Sequence, residues 1–208
     1  MDFGGTQITT RDELESIVGT PNAAARDKER DRLHELDRAW LAASPLYFVA
    51  TGDARGLDVS PKGDPAGSVL VLDDRTIALP ERPGNRRADG FHNLLTDPRI
   101  GLIFVIPGRG DTLRVNGRAR ILRDAPYAER MLVRGHTPTL VVEVAVEEVF
   151  HHCSKAFLRS KAWDPATWAP EALVPRRAVV AKSLDRRGDA LEDLDAYYGP
   201  SYEASIYG

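Results

Sequence analysis

The chain lacks most of the features that would place it in a special environment or tie it to a familiar chemistry. Its one cysteine, Cys153, excludes an internal disulfide and fits a reducing compartment. No run of 18 apolar residues predicts a transmembrane helix, and residues 1–5 lack the basic start and apolar centre of a signal peptide. Basic and acidic residues nearly balance, at 28 against 31, so neither nucleic acid nor an anionic membrane is an expected partner. We therefore expect a cytoplasmic protein.

Several catalytic signatures are also missing. The chain has no GxGxxG, Walker loop, GxSxG or HExxH, which argues against dinucleotide-binding, triphosphatase, serine hydrolase and zincin functions. What is present is an ordinary globular composition, with 42% apolar residues in 208. This length predicts one core domain with appendages: a helical arm at residues 1–44, a core at 45–165 and a C-terminal extension at 166–208.

The arm carries two helix patterns. Thr10 and Glu13 form a capping box for a first helix that ends at Gly19. A second helix is predicted over residues 23–42, where Leu33, Leu36 and Trp40 lie on one apolar stripe.

From residue 46 the pattern changes to strands. Residues 46–51, 57–60, 69–72, 76–79 and 139–146 read as strands separated by turn residues. Residues 100–106 are apolar on both faces, which predicts a strand covered on both sides. In residues 112–121, apolar residues alternate with Thr112, Arg114, Asn116, Arg118 and Arg120. The pattern predicts a mainly β protein, a small antiparallel barrel with peripheral helices.

The segment 81–89 contains the most informative residues. Asn85 follows Pro-Gly and is predicted to cap a helix that runs to about residue 96. Arg86 and Arg87 would then lie in its first turn, where the helix dipole disfavours cations. A bound anion, and most plausibly a phosphate ester, would explain them. The alternative is that both arginines are solvated and that Asp89 offsets part of their charge.

The order of these segments resembles the pyridoxamine 5′-phosphate oxidase superfamily, the FMN-binding split β-barrel. The resemblance rests on the segments LDVSPKGD at 57–64, GNRR at 84–87, DPR at 97–99 and TLRVNG at 112–117. It implies a Greek-key-like antiparallel split barrel with two N-terminal helices, similar to uncharacterised probable FMN-dependent enzymes. It also implies a homodimer with FMN, bound without covalent attachment, at the subunit interface.

The resemblance assigns cofactor-binding roles residue by residue. Asn85, Arg86 and Arg87 would hold the FMN phosphate. The ring would lie beside Val59, Ser60, Pro61 and Lys62, and would face Thr112, Arg114 and Asn116 across the dimer interface. Lys62 would place a cation near the pyrimidine end of the ring, although without the resemblance it reads as a loop lysine.

The chain departs from the vitamin-synthesising oxidases at its C-terminus. They close with an Arg-Leu-x-Pro motif that this chain lacks, which argues against pyridoxamine phosphate oxidation but not against FMN binding. Lys155, Arg159 and Trp163 share a helix face and could complete the pocket; equally, they could be a basic helix with one docked aromatic residue. His151 and Cys153 form a weak candidate for metal or haem, so no metal site is assigned.

The sequence therefore predicts an FMN-dependent oxidoreductase acting on an unidentified small molecule, with no catalytic residue identified. Three alternatives stay open: a haem-binding split-barrel protein, a deazaflavin-binding one, and a non-catalytic flavin-binding or interaction domain.

Overall fold

A single antiparallel sheet of seven strands forms the centre of the protein. The computed structural model describes residues 4–168, 175–185 and 187–207. The strands lie in the order β2-β1-β5-β6-β7-β4-β3, and every neighbouring pair is antiparallel. Their bounds are β1 Leu46–Asp53, β2 Gly56–Gly63, β3 Leu70–Val71, β4 Thr76–Pro80, β5 Arg99–Val105, β6 Thr112–Arg123 and β7 Leu140–His152. The predicted mainly β class, a split-barrel fold with peripheral helices, is confirmed.

Short helices surround this sheet. In the described residues they are α1 Arg11–Val18, α2 Ala23–Arg26, α3 Glu35–Ala43, α4 Asp89–Leu94, α5 Lys155–Ser160, α6 Arg177–Ser183, α7 Leu191–Tyr197 and α8 Pro200–Ala204. Two single turns of 3₁₀ helix cover Ala128–Met131 and Pro165–Thr167. In this part of the chain, no helix has the length and apolar character needed to cross a membrane.

The core lies on the inner face of the sheet. Alternate residues of β5 and β6 point into it, and Leu102, Phe104 and Leu113 are almost completely buried. Trp40 and Leu41 of α3 pack against these strand residues and cover the core. The prediction that residues 100–106 are covered on both faces is not met within one chain, because Ile103 on the outer face keeps 39% of its surface exposed.

The sheet curls until its distant strands approach each other. Lys62 at the end of β2 pairs with Glu81 just after β4, with 2.5 Å between Nζ and Oε2. Arg82 and Asp64 form a second, more buried pair at 2.7 Å. These two ion pairs join the ends of strands that are not neighbours in the sheet, and so they partly close the barrel.

Gly117 marks an irregularity between β6 and β7. The register shifts between Asn116 and Gly117, so that β7 has one more residue than β6 at this point. A Cβ atom on Gly117 would lie 2.0 Å from the carbonyl oxygen of Ala145. Only glycine therefore allows the two backbones to approach this closely.

The second predicted helix of the arm, residues 23–42, is wrong in its extent. The chain forms α2 and α3 with an extended stretch between them, and Leu36 of the proposed apolar stripe is 70% exposed. A contact with a distant strand explains the difference. β4 pairs with only the first part of β7, and Arg30 exchanges two backbone hydrogen bonds with Val149 on the edge left free, at 3.1 and 2.8 Å.

The C-terminal helices have a small core of their own. Ala178, Ala181 and Leu194 are buried against each other, apart from the main core. Tyr207 then reaches the barrel, where its hydroxyl donates to Oδ1 of Asp64 at 2.6 Å. The proposed boundaries at residues 44 and 165 stay a prediction.

Candidate functional site

The first part of the candidate site is the arginine loop, residues 84–88, between β4 and α4. The prediction that Asn85 caps a helix is wrong, because α4 begins only at Asp89 and its N-cap position is Ala88, with no side-chain cap. The Asn85 side chain accepts a hydrogen bond from the backbone N–H of Arg87 at 3.0 Å. Asparagine forms such local turns as readily as it caps helices, and the sequence pattern is the same for both.

The backbone of this loop has an unusual conformation. Arg86 and Ala88 have φ of 63° and 55°, while Arg87 between them does not have a positive φ. Non-glycine residues in the left-handed region are uncommon and concentrate at functional sites. Backbones that alternate in this way direct successive N–H groups into one concave surface, which suits an anion.

The charges of the arginine loop are only partly compensated. Arg87 Nε pairs with Asp89 Oδ2 at 2.7 Å, and the Arg87 side chain remains 74% exposed. Within the described ranges, Arg86 is exposed and has no ion-pair or hydrogen-bond partner. The helix-dipole part of the phosphate argument therefore does not apply, whereas a free guanidinium group and a strained backbone do support an anion site.

The four predicted residues on β2 divide between the two faces of the sheet. Ser60 and Lys62 point inward, to the face of the sheet on which α4 packs. Ser60 Oγ donates to Asp58 Oδ2 at 2.8 Å, and the Lys62 ammonium lies 5.4 Å from the centre of the Phe91 ring. Since Lys62 also pairs with Glu81, its charge is already balanced within the chain.

Val59 and Pro61 point outward instead, and share that outer face with the predicted residues of β6. Pairing across the sheet puts Val59, Ala50, Gly101 and Asn116 in one row. A second row joins Pro61 and Arg114 through Phe48 and Ile103. Two strands separate β2 from β6, a distance of about 14 Å at the usual strand spacing. Ala50 and Gly101, in the middle of the first row, have little or no side chain, and they leave a shallow depression in this part of the face.

Polar contacts order the β6 side of the outer face. Arg114 Nε donates to Asn116 Oδ1 at 3.2 Å, and Asn116 Nδ2 donates to Glu148 Oε1 at 2.8 Å. Thr112 is buried opposite His152. Glu148 and His152 were not predicted as site residues, because the strand on β7 was expected to end near residue 146. Simple alternation would not have identified them either, because the extra residue on β7 reverses the face on which the residues after 147 lie.

The third predicted group does not join the other two. Lys155 and Arg159 are exposed on α5. Trp163 stacks on Phe157 at 5.4 Å, and its Nε1 donates to the carbonyl oxygen of Arg109 at 2.7 Å. Trp163 thus anchors α5 to the turn between β5 and β6. This arrangement matches the second interpretation given above, a basic helix with one docked aromatic residue.

The histidine–cysteine segment has a structural use. His151 Nε2 lies 3.1 Å from Oδ1 of Asp37, a carboxylate that is only 1% exposed. Cys153 is exposed, and a backbone hydrogen bond from Lys155 together with the Lys155 charge lowers the pKa of its thiol. Across the part of the chain that the structure describes, no three His, Cys, Asp or Glu side chains are grouped for a metal ion.

Comparison with known proteins identifies the same family that the sequence resembles. Residues 33–153, more than half of the chain, match the family model described as pyridoxamine 5′-phosphate oxidase. No curated protein matches.

Solved structures resemble the chain in outline. HupZ of Group A Streptococcus is 25% identical with a TM-score of 0.46, over 57% of this chain and 93% of that one. A provisionally named pyridoxamine 5′-phosphate oxidase from Lactobacillus delbrueckii is 27% identical with a TM-score of 0.45, over 58% and 95%. An FAD-binding protein from Mesorhizobium loti is 16% identical with a TM-score of 0.40, over 59% and 96%.

Proposed function

Because the chain belongs to the pyridoxamine 5′-phosphate oxidase family, we propose that it binds FMN and acts as an FMN-dependent oxidoreductase on a small molecule. The observation that carries the proposal is the arginine loop, with its two left-handed residues and with Arg86, which no side chain in the described part of the chain pairs with. A phosphate monoester is the part of FMN that such a loop would bind.

The loop fits a phosphate in two ways. Arg86 and Arg87 supply guanidinium groups, which bind phosphate oxygens through paired hydrogen bonds. The left-handed residues Arg86 and Ala88 would allow further backbone N–H groups to face the phosphate, whereas the N–H of Arg87 already donates to the Asn85 side chain. The carboxylate of Asp89 already contacts Arg87, so the phosphate would compete with Asp89 for this one arginine.

The ring of the cofactor would lie beside β2. FMN supplies the redox chemistry when it is bound, and the protein supplies position and charge. Lys62 would contribute its ammonium group near the ring, and Glu81 would moderate that charge through the ion pair. Val59 and Pro61 lie on the opposite face of β2 from Lys62, so they would contact the partner subunit rather than the same side of the ring.

A second copy of the chain would complete the site. The outer face of β1, β2 and β5 exposes Leu57 by 91%, Val59 by 65%, and Phe48 and Ile103 by 39% each. A contiguous apolar surface of this kind marks an interaction site. In a homodimer formed through this face, Thr112, Arg114 and Asn116 of one subunit would face the cofactor of its partner.

The visible spectrum of the purified protein tests the cofactor. We expect a flavin band near ~450 nm, since the protein tunes but does not create the chromophore. Mass spectrometry of the compound released by boiling should then identify FMN. A Soret band would indicate haem, a deazaflavin mass would indicate that cofactor, and a colourless protein unchanged by FMN would contradict flavin binding.

The double variant Arg86→Ala with Arg87→Ala tests the phosphate contacts. Charge-assisted hydrogen bonds contribute about 1.5–3 kcal/mol each, so FMN affinity should fall by roughly 100-fold or more while the fold is retained. The matched control is Arg123→Ala with Arg130→Ala, which removes two exposed arginines elsewhere. Equal FMN affinity in the two double variants would refute the assignment of the loop.

A further inference from the structure

A cluster of cationic side chains lies at the far end of the outer face, where β6 and β7 pair. The Phe150 ring forms its floor and is only 6% exposed. The Lys28 ammonium lies 4.5 Å from the centre of this ring and the Arg114 guanidinium 5.4 Å from it. The His152 ring packs against the same phenyl group at 5.0 Å. We name Lys28, Arg114, Phe150 and His152 the cationic hollow.

Among the described residues, no carboxylate forms an ion pair with the cations of the hollow. In the ranges that the structure describes, neither Lys28 nor Arg114 forms a salt bridge. Lys28 Nζ donates to the carbonyl oxygen of His151 at 3.1 Å, and Arg114 Nε donates to the Asn116 side chain. The carboxylate of Glu148 accepts from Asn116 rather than from either cation.

This arrangement has an electrostatic cost. Lys28 and Arg114 are both half-buried, and removing cations from water is unfavourable unless an opposite charge is near. The effect is visible on His152, since burial and then the charges of Lys28 and Arg114 lower the pKa of its imidazole. An anion between Lys28 and Arg114 would offset the repulsion between these two cations and would favour the charged form of His152.

We propose that the cationic hollow is a binding site for an oxyanion, the phosphate or carboxylate group of a small molecule. Arg114 offers a planar fork of donors, and Lys28 offers a mobile ammonium above the same point. Pro80, at the end of β4 before the arginine loop, pairs with Val141, whereas Phe150 lies nine residues further along β7, about 30 Å at the usual rise of a strand. Within one chain, the hollow and the arginine loop would therefore bind separate anions.

Lys28 comes from a part of the chain that the family model does not match. It belongs to the N-terminal arm and precedes residues 33–153, which match the family model. The arm reaches this position because Arg30 pairs with Val149 on β7. The same docking that divides the predicted second helix thus delivers a cation to the outer face.

Titration with inorganic phosphate at constant ionic strength tests the proposal, with the imidazole resonances followed by NMR. His152→Gln assigns the His152 signal. We expect saturable shifts of that signal and a rise in the pKa of His152 when phosphate binds. In Lys28→Ala the affinity should fall by roughly 10- to 100-fold, the loss typical of one charge-assisted contact.

The control is Arg26→Ala, which removes a cation from the same arm. Arg26 is exposed and pairs with Asp27, so phosphate affinity should not change. Unchanged affinity in Lys28→Ala, or an equal loss in Arg26→Ala, would overturn the site. Thermal unfolding of each variant shows whether the arm still folds.

A second titration, in protein saturated with FMN, separates this site from the proposed cofactor site. Retained phosphate binding supports two anion sites. Phosphate displaced by FMN would mean that the cofactor occupies the hollow, which overturns the separate site. If the protein does not bind FMN at all, the first titration still decides the proposal.

Discussion

Replacing Asp37 with alanine should loosen the N-terminal arm from the barrel. Asp37 is 1% exposed and accepts four hydrogen bonds: two from the Arg30 guanidinium at 2.5 and 3.0 Å, one from the backbone of His34 at 2.7 Å, and one from His151 at 3.1 Å. This single carboxylate therefore joins the extended arm, the start of α3 and the end of β7.

The expected loss in the free energy of unfolding depends on how far the hydrogen-bond partners of Asp37 are exposed to water. Removing one member of a fully buried ion pair costs about 3–5 kcal/mol. Arg30 keeps 37% of its side chain exposed and can be hydrated in the variant. We therefore expect a loss of about 2–4 kcal/mol in the free energy of unfolding, or a decrease in Tm on the order of 5–15 °C for a chain of this length.

The pH dependence of the stability gives a second measure of the contribution of Asp37. Burial alone would raise the pKa of Asp37, but the hydrogen bonds from Arg30 and His34 outweigh it and leave this pKa lowered. A lowered pKa stabilises the fold above the unfolded value of about 3.9, and the contribution is lost as the pH falls below it. The difference in stability between wild type and Asp37→Ala should thus shrink in acid.

Urea unfolding at several pH values, with limited proteolysis of residues 19–30, measures both effects. The control is Asp31→Ala, because Asp31 is 58% exposed and its pairs with Arg32 and Arg75 lie at the surface. This variant should lose less than about 1 kcal/mol. Equal losses in Asp31→Ala and Asp37→Ala, or a difference independent of pH, would refute the reasoning.

Two further substitutions test the close approach at the bulge and the C-terminal contact. Gly117→Ala places a methyl group 2.0 Å from the Ala145 carbonyl oxygen and should destabilise the sheet by more than about 3 kcal/mol, whereas Gly84→Ala meets nothing within 4 Å and should change urea unfolding little. Tyr207→Phe removes the hydrogen bond to Asp64 and should weaken docking by about 1 kcal/mol, seen as faster hydrogen exchange in the C-terminal helices but unchanged exchange in β5 and β6. Burial and Asp64 raise the pKa of Tyr207, so docking should persist to about pH 10 and weaken as the pH rises further; docking that is insensitive to alkaline pH would contradict this contact.

Local patterns were enough to predict much of the barrel. The alternation in β6 correctly separated Leu113 and Val115 on the core face from Arg114 and Asn116 on the other. Thr10 caps the first helix, with its side chain accepting from the backbone of Glu13, as predicted. These features depend on neighbours within a few residues, so the sequence contains the information that determines them.

The chain's path at Asn85 and through the arm was decided by more distant contacts. Asn85 and the residues after it satisfy the rules for a helix cap and for a local turn equally well, and packing of α4 on β1 and β2 selected the turn. Residues 23–42 have a helical pattern, but the free edge of β7 offered Arg30 two backbone hydrogen bonds.

By itself, the sequence determined the order of the strands along the chain and the alternation that assigns the residues of β6 to its two faces. It did not determine that Arg86 and Arg87 lie in a loop rather than in the first turn of a helix. The tertiary structure alone decided which distant residues meet: Lys62 with Glu81, and Lys28 with Arg114 over Phe150. The physical reason is that periodicity arises from local backbone geometry, whereas these encounters depend on how far the sheet curls and which strand edge remains unpaired.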